Sequence, residues 1–181
     1  MINVSLDDAY RLVSCGSIVM ITTHDGNGNF NAMTCAWNCP LDFNPSKLLL
    51  IIGRESKTRQ NIEKTGEFIV CVPSTKQKDL ALKIGSCHGF DVDKFKEFGI
   101  KYSLGEKVKA PFIDGSLAFI ECKLIPEPEY TAKYDIILGE VLKATADENY
   151  FDGNMINPKN DDYSTLHHLA DDKFRILGKA I

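Results

Sequence analysis

Residues 24–37 read HDGNGNFNAMTCAW, either a phosphate loop opening a helix or a turn between two strands. Gly26 and Gly28 follow an apolar run that starts at Ser17, as they would in a glycine-rich loop that cradles the phosphates of a dinucleotide. Such a loop needs G-x-G-x-x-G after a strand and at the opening of a helix. Here the sixth position is Asn31, and Phe30, Thr34, Trp37 and Pro40 argue against a helix start. Asp-Gly and Asn-Gly tolerate positive φ, so DGNGN reads as a hairpin turn between the strands SIVMITT and NFNAMTCAW.

Beyond the hairpin, KLLLIIG reads as a continuous apolar strand buried on both faces. ESKTRQNIEKTG reads as a helix that Ser56 caps and Gly66 ends, and EFIVCVP as a strand closed by Pro73. From Gln77 to Gly99 the pattern is helical in two pieces, broken near GSCHG, with Val92, Phe95 and Phe98 at helical spacing in the second. SLAFIECKLIPEPEY and YDIILGEVLKATAD are long β-rich runs, with Pro126 and Pro128 at an edge or in the connection between them. Before the hairpin, Ser5 and Asp8 signal a short helix that could stop at Gly16. The last thirty residues are polar and turn-rich. No repeat or linker appears, and many strands with few helices predict a mainly β single domain over residues 1–181: a closed or partly closed barrel with added helices.

The 181 residues are 44% apolar and 25% charged, ordinary values for a globular chain with a real core. A net charge of -4, from 21 basic and 25 acidic residues, disfavours nucleic acid or an anionic membrane as a partner. It leaves room for a small phosphorylated ligand, which needs only a few local donors. No basic and apolar leader opens the chain and no run approaches a membrane span, which points to the cytoplasm. Six dispersed cysteines (Cys15, Cys35, Cys39, Cys71, Cys87 and Cys122) read as free thiols of a reducing compartment.

The strongest chemical signal is GRESKTRQNI. A strand ends at Gly53 and a helix starts near Ser56, so its first turn offers the Ser56 and Thr58 hydroxyls, the Lys57 ammonium and free backbone N–H groups, with Arg54 just upstream. Free donors at a helix N-terminus suit a phosphate dianion, and the same residues also suit an ordinary capped surface helix. In NAMTCAW, Ala32, Thr34 and Ala36 share one strand face. Small residues there would let a flat ring approach the backbone with Trp37 at its border, or would fit a tight barrel interior. In a strand Cys35 and Cys39 would lie about 13 Å apart, too far for one metal ion. The Cys87-His88 pair has no other cysteine or histidine close in sequence to complete a metal site or a Cys/His nucleophile, and His167-His168 reads as a loop pair. Without an acid–base apparatus of its own, the chain suits chemistry done by a bound cofactor.

The blocks SIVMITTHDGNGNFNAMTCAW, SKTRQNIEKTGEFIVCVPS, DVDKFKEFGI, FIECKLI and DIILGEV resemble, in order and spacing, the flavin reductase-like family, with flavoredoxins the most similar members. The resemblance implies an FMN-binding split β-barrel, usually a homodimer with flavin near the subunit interface. It implies an NAD(P)H-dependent oxidoreductase passing electrons through FMN to flavin, ferric iron or a redox protein partner. The alternative is a flavoredoxin-type carrier with no nicotinamide site. By position, Asn31, Ala32, Met33 and Thr34 would face the flavin ring with Trp37 nearby, Ser56, Lys57 and Thr58 would hold the phosphate, and Lys94 would bring a cation to the flavin. Where many relatives carry a histidine five residues before the glycine of GEV, this chain has Tyr134. The C-terminal aromatic that often covers the flavin in relatives falls on Phe174.

Overall fold

The computed structural model describes residues 16–153, 156 and 160–178. The hairpin forms as its turn residues require. Strands β1 (Val19–His24) and β2 (Phe30–Cys35) pair antiparallel in unbroken register, from Val19 opposite Cys35 to His24 opposite Phe30. Gly26 and Gly28 adopt φ of 83° and 94°, where a Cβ is unfavourable. The Asp25 carboxylate accepts the Asn29 side-chain amide at 2.7 Å and the N–H of Asn27 at 2.7 Å. These bonds hold its pKa down at about 2.

The chain continues through β3 (Asn38–Phe43), β4 (Ser46–Ile51), α1 (Lys57–Thr65), β5 (Glu67–Val72), α2 (Lys78–Gly85) and α3 (Lys94–Glu97). Then come β6 (Tyr102–Leu104), β7 (Pro111–Ile113), β8 (Ala118–Ile125), α4 (Pro128–Lys133), β9 (Ile136–Ala146), β10 (His167–Ala170) and β11 (Lys173–Arg175). Seven strands form one antiparallel sheet in the order β2-β1-β5-β8-β9-β4-β3. Its two edge strands are consecutive in the chain, joined only through Ala36 and Trp37. The sheet therefore curls upon itself, and the Ile51 N–H donates to the Trp37 carbonyl at 3.0 Å beside that join. This is the mainly β barrel with added helices that the strand pattern predicts.

Strand alternation sorts the apolar residues into two cores. Val19, Ile21, Leu50, Phe68, Val70, Cys122 and Ile137 pack inside the barrel against Ile62 of α1. On the other face of β1, β2 and β5, Met20, Ala32, Ile69 and Cys71 pack under Ala81 and Ile84 of α2 and Phe95 of α3. Helix α1 is tied to the barrel by Arg59, fully buried, whose guanidinium donates to the carbonyls of Ile52, Ile136 and Thr131, each at 3.2 Å, and pairs with Glu63.

Several elements differ from the sequence reading. β3 is a strand of its own, and an edge strand can accept Pro40, which has no N–H to give a ladder. β4 is next to that edge, so Leu48 and Leu49 are only half-buried and the strand is not covered on both faces. The Pro126–Pro128 connection holds α4, with Pro128 in its first turn where no N–H is needed. The second helical piece shrinks to four residues, and the polar C-terminal stretch contains the β10–β11 hairpin. The short helix expected from Ser5 lies outside the described residues. Among the described residues no helix is long and apolar enough to cross a membrane.

Candidate functional site

Helix α1 begins where β4 leaves the sheet. Ser56 is extended (φ -83°, ψ 142°) and its hydroxyl accepts the Arg59 N–H at 3.1 Å, while Gly66, at φ 73°, ends the helix. The capping that the sequence predicts is thus in place, and no acidic residue sits in the first turn. Helix geometry leaves the N–H groups of Lys57 and Thr58 without backbone acceptors. Thr58 is buried, and its hydroxyl accepts the side-chain amide of Asn31 at 2.8 Å. That leaves the hydroxyl proton free to donate. The Lys57 ammonium has no ion-pair partner among the described residues.

Opposite this turn stands Lys94, only 3% exposed, whose ammonium donates to the Ile84 carbonyl at 2.7 Å. Burial pushes its pKa down, and the nearby Cys87 opposes that shift. A buried ammonium with one acceptor for three protons is a cation short of partners.

These groups meet in one cleft of about 200 Å³, lined by Asn31, Met33 and Thr34 of β2, Ser56, Lys57 and Thr58, residues 84–89, and Lys94. Its walls hold two lysines and no carboxylate. A second cleft, of about 340 Å³, shares Thr34, Gly85 and Ser86 with the first and continues past Ala36 to His168, Asp171 and Phe174. The two form one groove across the end of α2.

The structure brings together Asn31, Met33, Thr34, Ser56, Lys57, Thr58 and Lys94, and sets Phe174 further along the groove. Ala32 is fully buried under α2. Of the three small residues on its face, Thr34 and Ala36 line the groove. Small size there serves helix packing too: the Thr34 hydroxyl donates to the Ala81 carbonyl at 2.6 Å, and a Cβ on Gly85 would stand 3.4 Å from the Cβ of Thr34. Trp37, Arg54 and Tyr134 line neither cleft. Trp37 is half-exposed where β2 joins β3. Arg54 donates to the Ala132 carbonyl and lies 3.5 Å from Asp135. Tyr134 is half-exposed with the Lys133 ammonium 5.2 Å from its ring centroid.

Sequence reasoning missed the wall made by residues 85–89. Gly89 has a packing role, since a Cβ there would fall 2.1 Å from the Asn31 side-chain oxygen. The available signal was the GSCHG break between helices, read as an interruption with Cys87-His88 set aside as a metal or nucleophile candidate. Of the cysteines, Cys35, Cys71 and Cys122 are buried, and desolvation pushes their thiols up to about 11, 12 and 12. Cys39 is exposed, Cys87 lines the cleft, and all five are free thiols. Cys15 lies outside the described residues.

Comparison with known proteins places the chain in a family. The model of the flavin reductase like domain matches residues 12–167. The FMN-binding domain of a flavin reductases-like enzyme from Shewanella baltica OS155 superposes with a TM-score of 0.85 at 34% identity, over 98% of this chain and 94% of that one. The uncharacterized protein YddH of Escherichia coli K12 is 32% identical over 99% of this chain and 96% of its own length. Flavoredoxin of Desulfovibrio vulgaris shares the fold, with a TM-score of 0.82 at 21% identity over 99% of this chain and 96% of its own. The chain belongs to the flavin reductase-like family.

Proposed function

We propose that this protein is an FMN-binding oxidoreductase that takes electrons from NADH or NADPH and passes them to flavin, ferric iron or a redox protein partner. The observation that carries the reading is the cleft at the start of α1: free N–H groups, the Thr58 hydroxyl, a Lys57 without an ion pair among the described residues and the buried Lys94, with no carboxylate in the lining. That donor set fits a phosphate dianion on a flavin, since dipole, hydrogen bonds and cations all favour the same charge.

Lys57, Thr58 and the first N–H groups of α1 would bind the phosphate, with Ser56 holding the helix end in shape. Asn31 orients the Thr58 hydroxyl through its own amide. Lys94 would set a positive charge beside the flavin and so favour its electron-rich form. Thr34, Ala36 and Phe174 line the part of the groove that would exclude water from the ring. FMN held there would supply the redox chemistry between a nicotinamide donor and the acceptor, which the side chains of the cleft do not provide themselves.

The same reading includes a homodimer. β3 is an edge strand, and it exposes Leu41 and Phe43, the latter at 93%. A second copy would cover this apolar edge, and light scattering of the FMN-loaded protein should give twice the chain mass. The functional test is the absorbance of purified protein before and after anaerobic NADH or NADPH. Flavin bands that bleach with nicotinamide support the reductase. Flavin bands that resist both donors would make the protein a carrier, and absence of FMN binding would overturn the reading.

A further inference from the structure

Beyond Phe174 the groove opens into a third cleft of about 420 Å³, lined by Thr75, Lys78, Leu166, Phe174, Arg175 and Ile176. Phe174 lines both the second and the third cleft, so the three lie in a row from the Lys57 end. The far end has its own chemistry. Leu166, Phe174 and Ile176 give an apolar floor, and Lys78 and Arg175 stand at it as cations, with no carboxylate in the lining. Neither cation has an ion pair among the described residues. The Lys78 ammonium lies 5.8 Å from the Phe174 ring centroid.

The two cations come from separate, anchored elements. Lys78 opens α2. Arg175 ends the β10–β11 hairpin, which is fixed to the barrel where the Ile18 N–H donates to the Leu166 carbonyl at 2.8 Å. Two unpaired cations over an apolar and aromatic floor suit a ligand with anionic groups and a flat ring. FMN has one phosphate, and the α1 cleft has donors for it. The anion at the far end would then belong to a different molecule.

We propose that Lys78 and Arg175 form the anion subsite for the phosphate groups of the pyridine dinucleotide that reduces the flavin. The inference rests on the reductase reading and names where its donor is held. The dinucleotide's charged end lies past Phe174, and its nicotinamide reaches back along the groove toward the flavin. Lys78 and Arg175 are thus specificity residues that act on donor binding and leave the redox step alone.

The test compares two hydride donors on the FMN-loaded protein: NADPH or NADH, and N-benzyl-1,4-dihydronicotinamide, which has no phosphate. Both residues are exposed, so Lys78→Gln and Arg175→Gln should fold. Each should raise the KM for the dinucleotide roughly two- to fivefold with kcat unchanged, the size expected for a lost exposed charge contact. The benzyl donor should reduce both variants at the wild-type rate, and FMN affinity should not change. The dinucleotide KM should rise with salt in the wild type and respond less in the double variant. An unchanged dinucleotide KM, or equal changes for both donors, would overturn the subsite and leave the reductase reading standing. If the benzyl donor bleaches the flavin and no dinucleotide does, both the subsite and the reductase reading fall.

Discussion

Replacing Gly89 with alanine would test whether the wall at residues 85–89 is built around Asn31. The new Cβ would sit 2.1 Å from the Asn31 oxygen, 2.9 Å from its Cγ and 3.3 Å from its nitrogen. Asn31 is 3% exposed, so its amide has little room to swing away. Relief requires breaking its 2.8 Å bond to the Thr58 hydroxyl or displacing the loop. Overpacking costs about 1–3 kcal/mol, and a lost neutral hydrogen bond adds about 0.5–1.5 kcal/mol. Gly89 does not occupy the positive-φ region, so alanine also stiffens the unfolded chain, which offsets about 0.4–1 kcal/mol. The net loss should be about 0.5–4 kcal/mol in urea unfolding of the flavin-free protein. A double-mutant cycle isolates the cause. With Asn31→Ala in place the collision disappears, so Gly89→Ala should then cost less than about 0.5 kcal/mol. If Gly89→Ala is neutral alone, or if the two losses simply add, the contact is not what fixes this wall.

Thiol accessibility reports the cleft without any activity measurement. In the native protein Cys39 and Cys87 should react with a thiol reagent while Cys35, Cys71 and Cys122 wait for unfolding, and FMN should protect Cys87 but not Cys39. Equal labelling of Cys87 with and without FMN would count against the site. Asp25 should titrate near 2 by NMR. Its folded pKa lies below the ordinary 3.8, so its contribution to stability is present above that value and fades as pH falls toward 2. A midpoint near 3.8 would show that the turn bonds do not persist in solution. Arg59→Met should destabilise the fold by about 2–4 kcal/mol, because the buried carbonyl of Ile52 and the half-buried carbonyls of Ile136 and Thr131 lose their shared donor. Denaturation within about 1 kcal/mol of wild type would contradict that tie.

Local chemistry made much of the molecule legible. DGNGN could only turn the chain cheaply with glycine at positive φ, and Ser56 and Gly66 bracket α1 because one caps the free N–H groups and the other accepts the left-handed bend. What was not legible depended on neighbours distant in sequence. KLLLIIG reads as a central strand, but its coverage is set by β3, whose Pro40 hid it as a strand. The free donors at the start of α1 were visible as a local pattern. The opposite wall was not, because Gly89 matters only through Asn31, fifty-eight positions earlier in the chain. Arg54 and Tyr134 stand near the right blocks in sequence, yet α4 and Asp135 draw Arg54 away from the cleft, a contact between segments some eighty residues apart.

If the α1 cleft reads the phosphate of FMN, calorimetric titration of FMN and riboflavin into wild type and Lys57→Ala will separate the two ligands. Riboflavin has the ring without the phosphate. A charged hydrogen bond contributes about 1.5–3 kcal/mol, and the half-buried position of Lys57 places its loss at the lower end. Lys57→Ala should therefore weaken FMN about tenfold and leave riboflavin unchanged. Wild-type protein that binds both ligands equally, or a variant that loses both in equal measure, would contradict the account.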